Sequence, residues 1–147
     1  MDPDETEHVR STVRRLLDDG VQRRDPQAYF DRTYHPDVTI DEAPSLPYGG
    51  TYRGLDGAAR HAVAFTRTWD ALQPTPAARR LRYVVHALPG AAFVAWSLSA
   101  VDPRTDRLVS FPAVSHYEFD DGLIRRSRML LFDTHAVLDL LRRAGAR

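Results

Sequence analysis

The sequence predicts an α+β domain: a curved antiparallel sheet with helices over its concave face. Three observations point there. In the first half, apolar residues recur mostly at helical spacing, broken by one alternating stretch, "DVTIDE". From Arg79 onward, four alternating runs are separated by the turn signals Pro89-Gly90, "DPRTD" and "DDG". A last helical run closes the chain. Helices followed by a run of antiparallel strands is an α+β order.

Each element follows from local chemistry. Val9, Val13, Leu16 and Leu17 keep helical spacing, and Gly20 is the expected stop. "DPQAYFDRTY" predicts a short second helix, with Asp25 as N-cap and Pro26 at the first helical position. Pro36 blocks its continuation. "DVTIDE" is the first strand. "DEAPSLPYGGTYRG" then carries two acids, two prolines, a tyrosine and a Gly-Gly pair into a second short strand. "LDGAARHAVAFTRTWDAL" places Ala62, Phe65 and Trp69 on one helical face, and "PTP" ends that helix. "RRLRYVVHAL", "AAFVAWSLSAV", "RLVSFPAVSHYEF" and "GLIRRSRMLLF" are the strands of the second half. The closing helix begins at Asp133, carries Val137, Leu138 and Leu141, and ends near Arg142, Arg143 and Gly145.

Alternation assigns the faces. A two-residue turn at Pro89-Gly90 sets Leu88 opposite Ala91, Val85 opposite Val94 and Tyr83 opposite Trp96. The face holding Leu81, Tyr83, Val85, Val94, Trp96, Leu98 and Ala100 is large and aromatic, so it is interior. Arg82, Val84, His86, Phe93, Ala95 and Ser97 form a mixed outer face that suits a subunit contact. The same parity brings Asp102 to the interior side, and it groups Phe111, Ala113, Ser115 and Tyr117. On the first strand Val38, Ile40 and Glu42 share the interior face. Asp41 points out, although a one-residue slip would exchange the two acids. An apolar hollow with a few acids at strand ends is the usual form of a small-molecule site. Burial there raises a carboxylate's pKa, which equips it to trade protons near neutrality.

Composition narrows the function classes. The chain has 147 residues, 43% of them hydrophobic, and zero formal net charge, which fits one domain over 1–147. That charge disfavours a nucleic-acid binder or a polybasic membrane anchor. No apolar run is long enough to span a membrane, and the acidic N-terminus is not a leader, so a cytoplasmic protein is expected. Cysteine is absent, which removes thiolate chemistry and disulfides. Lysine and asparagine are absent too. Both use A-rich codons, so a GC-rich genome accounts for them, and Schiff-base chemistry goes with the lysine. The six histidines have no metal-ligand spacing, so no metal site is expected. His61, on the third helix, is the histidine best placed for the pocket.

Two stretches carry a family resemblance: "YHPDVTIDEAPSLPYGGTYRGLDG" and "HYEFDDGLIRRSRMLLFDT". With the spacing of helices and strands, they make the chain resemble the SnoaL-like polyketide cyclases of the nuclear transport factor 2-like superfamily. The resemblance covers nearly the whole chain. It implies a cone-shaped fold, a curved sheet wrapped around N-terminal helices with one deep pocket, often in a homodimer, and acid-base chemistry without a cofactor. Ketosteroid isomerases of that superfamily keep their proton-shuttling acid where Glu42 stands. The acid of SnoaL-type cyclases falls on Ser115 and that of limonene-type epoxide hydrolases on Met129. Both are departures that weaken those two mechanisms here.

The candidate catalytic residues are therefore Glu42, Asp102, Tyr48 and Asp41. Glu42 (or Asp41) and Asp102 would form an acid pair, and Tyr48 would donate to a substrate oxygen. The candidate ligand contacts are Tyr83, Trp96, Ser115, Tyr117, Met129 and His61. The expected activity is a cofactor-free cyclase or isomerase closing a pyran or cyclic-ether ring on an apolar, oxygenated small molecule. A non-catalytic binding or dimerisation domain and an epoxide hydrolase are the alternatives.

Overall fold

The structure, a computed structural model, describes residues 3–25 and 32–145. The first helix, α1 (Pro3–Arg15), turns its buried Val9, Thr12 and Val13 toward the sheet. The helical path does not stop at Gly20. It widens into a π-helical segment, Leu16–Gln22, closed by the Arg23 N–H on the Asp18 carbonyl at 3.2 Å. Gly20 is buried inside that segment. Its missing side chain makes room rather than ending the helix, and Leu16 and Leu17 at the start of the segment stay on the buried face of Val9 and Val13. The second helix expected over 25–34 falls mainly outside the described residues, and Tyr34 already belongs to the first strand.

Six strands form one sheet: β1 (Tyr34–Glu42), β2 (Gly50–Arg53), β3 (Arg82–Leu88), β4 (Ala91–Asp102), β5 (Arg107–Asp120) and β6 (Leu123–Leu131). Their order is β2-β1-β6-β5-β4-β3. The sheet is not purely antiparallel, as expected from sequence, because β1 lies parallel to β6. Alternation reports which face a side chain takes, not which way a neighbouring strand runs. The β3–β4 pairing has the expected register, with Tyr83 opposite Trp96 and Leu88 opposite Ala91. At the β5–β6 turn both Asp121 (φ 51°) and Gly122 (φ 73°) take positive φ, the geometry that matches the twist of a tight hairpin.

Between β1 and β2 the chain folds back on itself. The Leu46 N–H donates to the Ala43 carbonyl at 3.0 Å and the Gly49 N–H to the Leu46 carbonyl at 2.9 Å. A Cβ on Gly49 would sit 2.3 Å from the Ala43 carbonyl oxygen, so only glycine lets this loop close. Helix α2 (Gly54–Trp69) then crosses the sheet and ends in a 3₁₀ turn, Asp70–Leu72. "PTP" is more than a stop: Thr75 caps a one-turn helix α3 (Pro76–Arg79) by accepting from the Ala78 N–H at 3.2 Å. Asp133 caps α4 (Thr134–Arg143) the same way, at 3.0 Å from the Ala136 nitrogen.

The core lies between the helices and the concave face of the sheet. It is built from Leu16 and Leu17, Val38 and Ile40, Phe65 and Trp69, Val94 and Leu98, Ile124, and Val137 with Leu140 and Leu141. On the convex face Val84, Ala95, Val114 and Leu130 form one row across β3, β4, β5 and β6, and all four are exposed. Beside them Phe93 stacks on His116, with ring centroids 4.5 Å apart.

Candidate active site

The phase that buries Val38 and Ile40 also buries Glu42 at the end of β1 (7% exposed). Helix α2 brings His61 over it. Gly57 allows this approach, because a Cβ there would stand 3.0 Å from the Tyr52 backbone of β2. The His61 Nε2 lies 2.7 Å from Glu42 Oε1. With the carboxylate ionised, the ring N–H donates. The other oxygen, Oε2, is buried and has no hydrogen-bond partner among the described residues. Burial pushes the Glu42 pKa up; the His61 hydrogen bond and charge pull it back, and the Asp41 charge adds a smaller push upward.

Glu42 and His61 share one cavity with Trp96, Ser115, Tyr117 and Met129, all from the inner faces of β4, β5 and β6. Its volume is about 50 Å³. That admits a water or two and falls well short of the ~300–1,000 Å³ of a typical ligand pocket. The Trp96 Nε1–H donates to Ser115 Oγ at 3.0 Å. His61 is boxed in by aromatic edges: Tyr52 at 5.1 Å and Tyr48 at 6.4 Å between ring centroids. The dyad thus sits in an apolar setting with one carboxylate oxygen uncommitted. Such a group can take a proton from a guest and return it.

Four expected site residues lie elsewhere. Asp102 is on the interior side of β4, as its parity implies, but not at the cavity. Its Oδ1 accepts from the Arg104 N–H at 2.9 Å and its Oδ2 from Arg143 Nη1 at 2.7 Å. These donors hold its carboxyl below the usual range, the Arg104 N–H first and the guanidinium second. It anchors α4 to the β4–β5 turn and forms no pair with Glu42. Asp41 faces the convex side, where it accepts from Thr51 Oγ1 at 2.8 Å and lies 3.5 Å from Arg126 Nε. Tyr48 is wholly buried and lies outside the cavity lining, so it is not placed to donate to a substrate oxygen there. Its hydroxyl accepts from the Trp69 Nε1–H at 3.3 Å, its carbonyl accepts from Tyr52 at 2.9 Å, and burial pushes its phenol pKa up. Tyr83 donates to Asp18 Oδ1 at 2.8 Å beneath the π segment, outside the cavity lining, with its pKa pushed up to about 12 by burial and by that acid.

Sequence reasoning missed other lining residues. Tyr34 and Ser127 add hydroxyls, and Phe65, Leu16, Leu17 and Val21 complete the apolar wall. Ser127 was within reach, since it shares Met129's parity on β6. Leu16 and Leu17 share the helical face of Val9 and Val13, whereas Val21 lies beyond the expected stop at Gly20 and required knowing the π geometry. Among the described residues, no three His, Asp or Glu side chains gather to hold a metal ion, and no helix is long and apolar enough to cross a membrane.

Comparison with known proteins agrees with this architecture. No curated protein matches the chain in sequence. Bal32a, from a soil-derived mobile gene cassette, superposes with a TM-score of 0.71 at 15% identity, covering 94% of this chain and 99% of its own. A candidate SnoaL-like polyketide cyclase from Jannaschia sp. CCS1 gives 0.66 at 23% identity, covering 96% and 95%. TerC, co-crystallised with polyporic acid, gives 0.69 at 17% identity, covering 90% and 96%. At these identities the neighbours establish the fold. The sequence model of the SnoaL-like domain matches residues 13–127, most of the chain. The protein is therefore a member of the SnoaL-like family, with the α+β fold of the nuclear transport factor 2-like proteins.

Proposed function

We propose that the protein is an acid-base catalyst of the cyclase or isomerase type. It acts on a small, mostly apolar, oxygenated molecule, with Glu42 as the base and His61 as its hydrogen-bonded partner. The observation that carries the reading is the buried, unpartnered Oε2 of Glu42 at a cavity wall. An uncommitted carboxylate oxygen away from water is costly for folding alone and useful for proton transfer. The acid pair expected from sequence is replaced by this acid–histidine dyad. A polyketide-derived substrate is favoured by the likeness to the Jannaschia protein, and the expectation that no cofactor takes part is kept. A substrate of that size needs the cavity to widen, and Met129, flexible and soft, is suited to give way. A cytoplasmic homodimer remains part of the reading. The exposed row Val84, Ala95, Val114 and Leu130 would be the contact face.

A second reading, hydrolysis of an epoxide, is favoured by one observation: the cavity is water-sized, and Tyr34 and Ser127 add hydroxyls beside Glu42. The first reading is tested with 5-nitrobenzisoxazole, which opens to a coloured phenolate when a base removes one C–H proton. Wild-type protein should open it above the buffer rate. Glu42→Gln, checked for folding by circular dichroism, should lose ~10²–10⁴-fold. Equal rates in the two proteins would discard Glu42 as a base, and styrene oxide turnover to the diol by wild-type alone would favour the hydrolase.

A further inference from the structure

A second hollow opens on the convex face, on the side of the sheet opposite Glu42. It forms because β3 is shorter than its neighbour. Arg82, the first residue of β3, pairs with Ser97, and β4 runs on past that pair to Asp102. The β3–β4 ladder cannot continue with it. The Leu81 N–H donates to Gln22 Oε1 at 2.9 Å, and the Ser99 carbonyl accepts from Gln73 Nε2 at 2.7 Å. Where the strand is missing, a cavity of about 400 Å³ is left beside α3, a size within the ~300–1,000 Å³ of small-molecule sites. It shares no lining residue with the Glu42 cavity.

Its lining is one-sided in charge. Alternation puts Ser97 and Ser99 on the convex side of β4, out of phase with the buried Trp96 and Leu98, and Ser110 of β5 lies opposite Ser99. Arg80 and Arg82 complete the polar wall, and no acid is part of it among the described residues. Among those residues neither guanidinium has a hydrogen bond or an ion pair. The Ser99 and Ser110 hydroxyls lie 2.9 Å apart, a contact that uses one of their two hydrogens. The other hydrogen meets no acceptor among the described residues, and neither does the hydroxyl of Ser97. Ser99 is only 9% exposed, so its hydroxyl is not an ordinary solvated surface group. Two positive charges and spare hydroxyl donors thus meet in one hollow with no acceptor of their own.

We propose that this hollow binds the phosphoryl group of a small phosphate monoester. Such a group carries about −1.5 to −2 charge at pH 7 and three strong acceptor oxygens. Two guanidiniums balance that charge, and their planar forks match pairs of its oxygens. The serine hydroxyls answer the oxygens that remain. A carboxylate, with one charge and two oxygens, would leave part of this donor set unused. Leu108 and Ala77 offer an apolar wall for a short organic body attached to the phosphate. The site stands on its own geometry and does not depend on Glu42 being a base.

Calorimetric titration with phenyl phosphate, at ionic strength held constant with sodium chloride, tests this. Wild-type protein should bind one equivalent saturably. Arg80 and Arg82 are exposed, so Arg80→Gln and Arg82→Gln should fold normally, and each should weaken binding ~10–100-fold. Arg60→Gln removes an equally exposed charge from α2 and should change nothing. Ser99→Val, checked by circular dichroism, keeps both arginines but fills the hollow, and should abolish binding. Affinity should fall as pH drops through about 6, where the phosphate takes up a proton and the arginines stay charged. Absence of saturable binding overturns the proposal, as does equal affinity in wild type and both arginine variants, or undiminished binding by folded Ser99→Val. Benzoate binding as tightly as phenyl phosphate overturns the phosphoryl assignment. Glu42→Gln should bind phenyl phosphate like wild type, and a loss there would move the ligand to the other cavity and overturn the site.

Discussion

Glu42 and Asp102 are both buried acids at the ends of interior strands, and both are 7% exposed. Their surroundings are opposite. Glu42 has one donor for two oxygens, and its pKa is pushed up. Asp102 has a donor on each oxygen, one of them an arginine, and its pKa is pulled down. Burial alone therefore does not make a working acid. The supply of donors decides whether a buried carboxylate exchanges protons or serves as a charged anchor.

The largest expected effect follows directly. Glu42→Gln should lose ~10²–10⁴ in benzisoxazole opening, and Asp102→Asn should stay near the wild-type rate. A comparable loss in Asp102→Asn would erase the distinction between the two acids. The next largest effect concerns His61, which pulls the Glu42 pKa down. In His61→Gln the pKa rises further, less Glu42 is ionised at neutral pH, and the rate falls there. The acid limb of the pH–rate profile moves to higher pH while the alkaline plateau is largely kept. A shift toward lower pH would show that the histidine does not hold the charged form.

Stability should separate the two acids by sign. Glu42's folded pKa lies above its unfolded value, so ionisation costs stability as pH rises through that window. Glu42→Gln should therefore melt higher than wild type at neutral pH, with the gain vanishing below the unfolded carboxylate pKa. Asp102's folded pKa lies below its unfolded value. Its stabilisation is present above the unfolded pKa and is lost as pH falls through the folded one. Asp102→Asn should melt lower at neutral pH, with the difference closing in acid. Melting curves between pH 3 and 8 read both, and like-signed effects would contradict the donor argument.

Much of this contrast was legible in the sequence, and the remainder was not, for identifiable reasons. Alternation from Val38 and Ile40 turns Glu42 inward, and the Pro89-Gly90 turn sets Tyr83 opposite Trp96, as found. The same parity puts Asp102 on the interior side, also as found. Parity names a face but not what roofs it, and at that end of β4 the roof is Arg143 of α4, 41 residues away. His61 was singled out as a pocket residue, yet its partnership with Glu42 depends on how closely α2 lies over β1 and β2. Tyr48 sits in a loop with no periodicity to reveal that its side chain is buried. The parallel β1–β6 pairing and the π-helical widening at Gly20 leave no mark on the apolar pattern at all.

The smallest expected effect sharpens the comparison most, because it isolates charge from contact. Asp41 points away from the cavity and does not touch Glu42's guest, yet its charge is the least of the influences raising the Glu42 pKa. Arg126 and Arg128 lie 3.5 and 3.8 Å from it on the convex face and offset part of that charge. Asp41→Asn retains an oxygen for the Thr51 hydroxyl while removing the charge. Glu42 should then ionise at slightly lower pH, so the acid limb of the rate profile shifts downward with its plateau unchanged. The shift should be opposite in direction to that of His61→Gln and smaller. A lowered plateau would mean that Asp41 acts through structure, and an upward shift would mean that its charge is not one of the influences raising the Glu42 pKa.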